Sequence, residues 1–180
     1  VWVAIGPHMG AASAWPEASS VPTAMDPSSP AGRQSPTRPQ NGCSPPPAHE
    51  WFLRLAVDGS GAPVVLDALG TLRTLSREGR AVGELSASEP FRELAVAGDM
   101  AYAVGRADRA IREVDLGDRA EPRLVSVIPG PAERLVVDAR RRLLFVAAGS
   151  AGLRVLSVAV PGAAVELAVL DTPGLAFDVA

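Results

Sequence analysis

The chain has 180 residues, 47% hydrophobic, 21% charged and 4% aromatic, with a net charge of −3. That length is about one domain, and the balance excludes both a chain disordered throughout and a nucleic-acid-coating polycation. All 17 basic residues are arginine, a compositional bias rather than a chemical signature.

Residues 1–50 hold ten of the seventeen prolines, seven serines and five charged residues, in runs such as Pro27-Ser28-Ser29-Pro30 and Ser44-Pro45-Pro46-Pro47. Proline removes a backbone donor and fixes φ, so a disordered Pro/Ser-rich leader or linker is expected here. Ala12-Ser13-Ala14 has the small-x-small form that signal peptidases cut, but no basic stretch precedes it and Pro7-His8 interrupts the apolar start. Cys43 is the single cysteine, which excludes an intramolecular disulfide and a Cys-based zinc cage. The polar run from Gln34 to Asn41 before it favours an unpaired linker thiol over a lipid-attachment site. No hydrophobic run approaches the ~18 residues of a helical membrane span.

From Trp51 onward short Val- and Leu-rich runs alternate with Gly, Asp and Pro, the texture of many short strands, so residues 51–180 are expected to be all β. They repeat. Leu72-Arg73-Thr74-Leu75-Ser76, Ile111-Arg112-Glu113-Val114-Asp115 and Leu153-Arg154-Val155-Leu156-Ser157 share the pattern aliphatic-Arg-x-aliphatic-Ser/Asp at spacings of 39 and 42. Each unit opens with a first strand around Leu55-Ala56-Val57, Leu94-Ala95-Val96 or Leu135-Val136-Val137. A polar turn then leads to a second strand at Val64-Val65-Leu66, Ala101 to Val104, or Leu143 to Val146. The Leu-Arg pattern is the third strand, and the fourth lies at Val82 to Leu85, Leu124 to Ile128, or Val165 to Leu170. Units of about 53–90, 91–131 and 132–173 result, with Phe177-Asp178-Val179-Ala180 in register as the first strand of a truncated fourth. Four antiparallel strands every 40 residues or so is the sequence form of a β-propeller blade, so a partial β-propeller of about three blades is predicted. Closed propellers need roughly four to eight blades, which points to a fragment of a longer protein, or to completion by another copy in trans.

The stretch from Glu93 onward, and more loosely from Leu53, resembles the LVIVD repeat, a β-propeller repeat of bacterial and archaeal envelope or secreted proteins. The match is carried by Gly152-Leu153-Arg154-Val155-Leu156-Ser157-Val158, Asp171-Thr172-Pro173-Gly174, Phe177-Asp178-Val179-Ala180 and the aromatic second strand Ala101-Tyr102-Ala103-Val104. It covers about two thirds of the chain. Asp115 agrees with the family's Asp after the aliphatic pair, whereas Ser76 and Ser157 depart from it. The resemblance implies an exported or cell-envelope protein, with the cytoplasm as the alternative.

The residues suggest little chemistry. His8 and His49 are the only histidines and both lie in the leader, so a catalytic triad or multi-histidine metal site within the repeats is excluded. Gly59-Ser60-Gly61 and Gly149-Ser150-Ala151-Gly152 read as hairpin turns rather than nucleophile or phosphate loops. Asp108, Asp115, Asp118 and Asp138 are candidates for a hard-cation site in a channel, weighed against turn caps and arginine partners. Arg73, Arg112 and Arg154 read as repeated structural ion pairs, and Arg140-Arg141-Arg142 as a solvated hairpin tip. No catalytic, cofactor-binding or metal residue is assigned. The expected function is a non-catalytic binding or scaffold module whose partner is a protein or surface ligand, with no nucleic acid. The alternative is a fragment of a propeller enzyme, a hydrolase or oxidoreductase, whose catalytic groups lie outside this chain.

Overall fold

The computed structural model describes residues 3–6 and 52–180, which form fourteen strands and, among the described residues, no helix. The first repeat is an antiparallel sheet of β2 (Phe52–Val57), β3 (Pro63–Asp67), β4 (Leu72–Leu75) and β5 (Ala81–Leu85). The second comprises β6 (Phe91–Ala97), β7 (Met100–Gly105), β8 (Ile111–Asp115) and β9 (Arg123–Ile128). The third comprises β10 (Arg134–Asp138), β11 (Leu143–Ala147), β12 (Leu153–Ser157) and β13 (Val165–Leu170). Within each sheet, spatial order equals chain order because every connection is a short turn, the arrangement with least loop-closure cost.

The three sheets are copies in register as well as in topology. Leu72, Ile111 and Leu153 each open the third strand, opposite Leu66, Val104 and Ala147 on one side and Leu85, Ile128 and Leu170 on the other. The outer strand bulges at the same point in all three, with Val82, Val125 and Leu167 as the extra residues. A bulge raises local twist, and at the edge strand it bends the unpaired ladder away from flat pairing.

One-sided burial between sheets follows from strand alternation. Val64, Leu66 and Leu72 of the first blade meet Phe91, Leu94, Ala101, Ala103, Val114 and Leu116 of the second. Tyr102, Val104, Ile111 and Ile128 on the second blade's other face meet Leu135, Leu144, Val146, Leu156 and Val158 of the third. The middle blade is therefore covered on both sides, which explains its near-continuous apolar second strand, and each fully buried aliphatic contributes about 1.5–3 kcal/mol. The first strands β2, β6 and β10 lie side by side as the shared inner edge.

β14 (Leu175–Val179) packs beside β10, burying Ala176 and Val179 against Ala147 and Leu153. Its sheet partner is β1 (Val3–Gly6), antiparallel, with Val3 opposite Val179 and Gly6 opposite Leu175. β1 lies within the stretch 1–50 read from sequence as a leader or linker. An apolar tetrapeptide is too short to announce a strand whose partner lies at the far end of the sequence. His8, Ala12-Ser13-Ala14, Cys43, His49 and the proline-rich runs lie outside the described residues.

Candidate functional site

Blade contacts at the end bearing the first hairpins differ between the two interfaces, and that difference creates a cleft. Between the first and second blades the space is filled by Arg119, carried on the β8–β9 turn. Its guanidinium pairs with Asp58 and donates to the Leu75 carbonyl at 2.7 Å and the Pro63 carbonyl at 3.1 Å. The same turn lies so close to β5 that a Cβ on Gly83 would stand 2.3 Å from the Arg119 carbonyl oxygen. Thr74 Oγ1 donates to that carbonyl at 2.5 Å. Burial pushes the Arg119 pKa down, the physical sign of a desolvated cation.

Counting from the last residue of the third strand, Asp115 in one blade and Ser157 in the next, places Pro161 where Arg119 stands. Proline can neither reach across nor donate. Between the second and third blades a cavity of about 500 Å³ remains, lined by Gly98, Asp99, Met100, Tyr102, Val137, Arg142, Val158 and Pro161 among others. Its floor is apolar, with Tyr102 and Val158 buried, and its rim carries exposed Asp99 and Arg142. Arg142 adopts φ of 54° and donates from Nη1 to the Ala159 carbonyl at 3.1 Å, which holds the guanidinium over the β12–β13 turn.

Beneath the floor, Tyr102, Glu113 and Ser126 are cross-strand partners within the second blade. Glu113 is fully buried; Oε2 accepts from Ser126 Oγ, while Oε1 has no partner among the described residues. Burial, with the Glu113 charge added, pushes the Tyr102 phenol up to about 12.

The candidates raised from sequence fall elsewhere. Asp108 pairs with Arg112, whose Nη1 and Nη2 each reach its carboxylate at 2.8 Å, and those hydrogen bonds hold its pKa at about 2. Asp115 Oδ1 accepts from the Gly117 amide, Asp118 Oδ1 from Ala120, and Asp138 Oδ1 from Arg140 and Arg141. These four carboxylates cap turns separately, and among the described residues no group of three His, Cys, Asp or Glu side chains is placed to hold a metal. Asp58 does the same in the Gly59-Ser60-Gly61 turn, accepting from Ser60 N at 2.9 Å and Ala62 N at 3.0 Å. Arg73 pairs with Asp67 at 3.1 Å and Glu84 at 2.7 Å, and Arg154 with Glu166 at 2.7 Å, so the recurrent arginine is an ion-pair position in all three blades. Arg141 pairs with Asp138 at the β10–β11 tip.

Sequence reasoning did not find the row of charges on the first strands. Arg54, Glu93 and Arg134 occupy one position, opposite Leu66, Val104 and Ala147. Glu93, with its side chain 7% exposed, bridges Arg54 at 2.9 Å through Oε1 and Arg134 at 2.9 Å through Oε2. The signal was a charged residue directly before each first-strand leucine: Arg54-Leu55, Glu93-Leu94 and Arg134-Leu135.

No family model matches the chain, and no curated protein matches it in sequence. Solved structures do match in fold. The β-propeller domain of Myceliophteria thermophila Cps50 (Swd1) is 15% identical with a TM-score of 0.54, over 67% of this chain and 43% of that one. Kuenenia stuttgartiensis hydrazine synthase is 11% identical with a TM-score of 0.55, over 69% of this chain and 37% of that one. The chain thus spans about two fifths of the length of these structures. With the repeated four-stranded sheets, this likeness establishes an all-β, partial β-propeller fold of three blades.

Proposed function

We propose that the chain is a non-catalytic β-propeller module of LVIVD-like blades, exported or attached to the cell envelope, that binds an extended peptide segment in the cleft between its second and third blades. The observation that carries this reading is the replacement of the Arg119 clasp by Pro161, which leaves a concavity within the size range of small-ligand and side-chain pockets. An apolar floor with one acid and one base at the rim suits an apolar anchor side chain whose flanking backbone or charges meet Asp99 and Arg142. The non-catalytic reading is supported by the repeat carboxylates, which are engaged with arginines or turn amides rather than converging on one point. Completion of the ring by further blades, in cis or from another copy, belongs to the same proposal.

The test is selection of a displayed random-peptide library on the full chain, against an Ala159→Trp variant that fills the cleft from an exposed turn. Peptides captured by the parent and lost by the variant are expected. Equal capture by both, or no enrichment, overturns the site. Export is tested by N-terminal sequencing of secreted protein, and retention of the intact chain in the cytoplasm counts against it.

A further inference from the structure

The two charges at the mouth of the cleft occupy one position in successive blades. Gly61, Asp99 and Arg142 each stand five residues before the second-strand residue that faces the first-strand charge, which is Leu66, Val104 or Ala147. Leu116 N donates to the Asp99 carbonyl at 2.8 Å and Val158 N to the Arg142 carbonyl at 2.9 Å. Both donors come from the residue just past their blade's third strand, so the equivalence holds in space as well as in the sequence. One blade thus offers the cleft a carboxylate, and the next a guanidinium.

Arginine is a strained choice at this place. Gly61 adopts φ of 80° and Arg142 φ of 54°, in the left-handed region where a Cβ is disfavoured and glycine is at ease. Backbone strain of this kind concentrates at ligand clamps, where the surrounding structure holds a side chain ready. Arg142 is tied to the third blade at both ends, by its carbonyl to Val158 N and by Nη1 to the Ala159 carbonyl. Its Nε and Nη2 make no hydrogen bond or ion pair among the described residues, and the Asp99 carboxylate meets no donor or cation there. Neighbouring Arg141, by contrast, is paired with Asp138.

We infer that the cleft recognises the C-terminal residue of its peptide. The free carboxylate sits on Nε and Nη2 of Arg142, the last side chain on the floor of Met100, Tyr102, Val137 and Val158, and the last amide N–H on the Asp99 carboxylate. This rests on the proposed cleft reading and names which part of the peptide enters. Charge complementarity selects a terminus over an internal segment, because an internal backbone has no anion for a guanidinium that lacks one. A terminus carries its anion within the same residue as the side chain that fills the floor, whereas an aspartate or glutamate brings the anion without the apolar group. The Nε–Nη2 edge presents two parallel donors that match the two carboxylate oxygens. Asp99 sets the orientation, since it accepts from the amide and repels a carboxylate placed on its own side.

Fluorescence anisotropy on the full chain tests this, using N-terminally labelled short peptides that end in leucine, isoleucine, valine, methionine or phenylalanine, each made as the free acid and as the C-terminal amide. At least one free acid should bind about tenfold or more tightly than its amide, and Ala159→Trp should abolish that binding. Arg142→Gly should reduce the acid to the level of the amide while leaving Tm and the far-UV circular dichroism unchanged, because glycine takes φ of 54° freely. An arginine with a merely structural role would instead lower Tm when replaced. Arg142→Lys keeps the charge without the two-donor edge and should fall between parent and glycine variant. Acid and amide bound equally, and both lost in Ala159→Trp, overturn this inference and leave the cleft reading standing. No binding of either overturns this inference, and with no enrichment in the library selection the cleft reading falls as well. Acid preference that survives Arg142→Gly overturns it, as does N-acetylphenylalanine binding as tightly as the phenylalanine-ending peptide, which would make the occupant a small carboxylate.

Discussion

Replacing Arg119 with methionine should destabilise the protein far more than an ordinary surface substitution. The variant loses hydrogen bonds to the Leu75 and Pro63 carbonyls and the ion pair with Asp58, whose side chain is 3% exposed. Breaking a buried pair from one side costs about 3–5 kcal/mol when the remaining charge is uncompensated. Asp58 keeps its Ser60 and Ala62 donors, and Arg119 is itself 21% exposed, so the loss should fall to about 2–3 kcal/mol. At about 2–4 °C per kcal/mol for a chain of this size, Tm should drop by about 4–12 °C. Thermal and urea unfolding followed by far-UV circular dichroism reads this directly. The double variant Asp58→Asn with Arg119→Met should recover more than half of the loss, since no unpaired charge is then left under the hairpin. A single variant within about 0.5 kcal/mol of the parent, or a double variant less stable than the single, would refute the clasp.

Three further outcomes follow from the same geometry. Leu72→Ala and Ile111→Ala should each cost about 2–5 kcal/mol, and Leu153→Ala less because its side lies toward the half-built fourth unit, with urea midpoints as the measure and equal losses at all three counting against the packing. The chain's one tyrosine makes a clean ultraviolet titration. Tyr102 should ionise in the folded protein at about 12 rather than near the ordinary phenol value of about 10, so stability falls as pH rises between them, and phenolate appearing near the lower value would contradict its burial. Asp108 has its folded pKa depressed to about 2, so its contribution is full above the unfolded value of about 3.9 and is lost as pH falls toward 2. Asp108→Asn should flatten that part of the stability–pH curve, and an unchanged slope would show that Arg112 gains nothing from this carboxylate.

Much of the fold is legible in the residues because a blade is built from local hairpins. Leu72, Ile111 and Leu153 could be aligned by their Arg-x-aliphatic neighbours, and they are equivalent in space because four strands joined by short turns leave the chain one order in which to pair. The second strands could be recognised as covered on both faces because Ala101 to Val104 contains no charged side chain on either alternate. The site was not legible. Pro161 looks like an ordinary turn residue, and only its equivalence to Arg119, the clasp of the neighbouring interface, shows that it leaves a space. The charge row escaped for a related reason: Arg54, Glu93 and Arg134 are each unremarkable beside a leucine, and their coupling exists only between strands about 40 residues apart.

Strand identity, blade period and the all-β class were therefore determined by the sequence alone, since alternation, turn residues and repeat phase act over a handful of neighbouring positions. The pairing of Val3–Gly6 with β14, the alternating girdle along the inner edge and the opening between the second and third blades were decided by the tertiary structure. Each depends on which side chains meet across separately folded sheets, and that contact is set by the angle and register at which whole blades pack, a quantity no short stretch of residues contains.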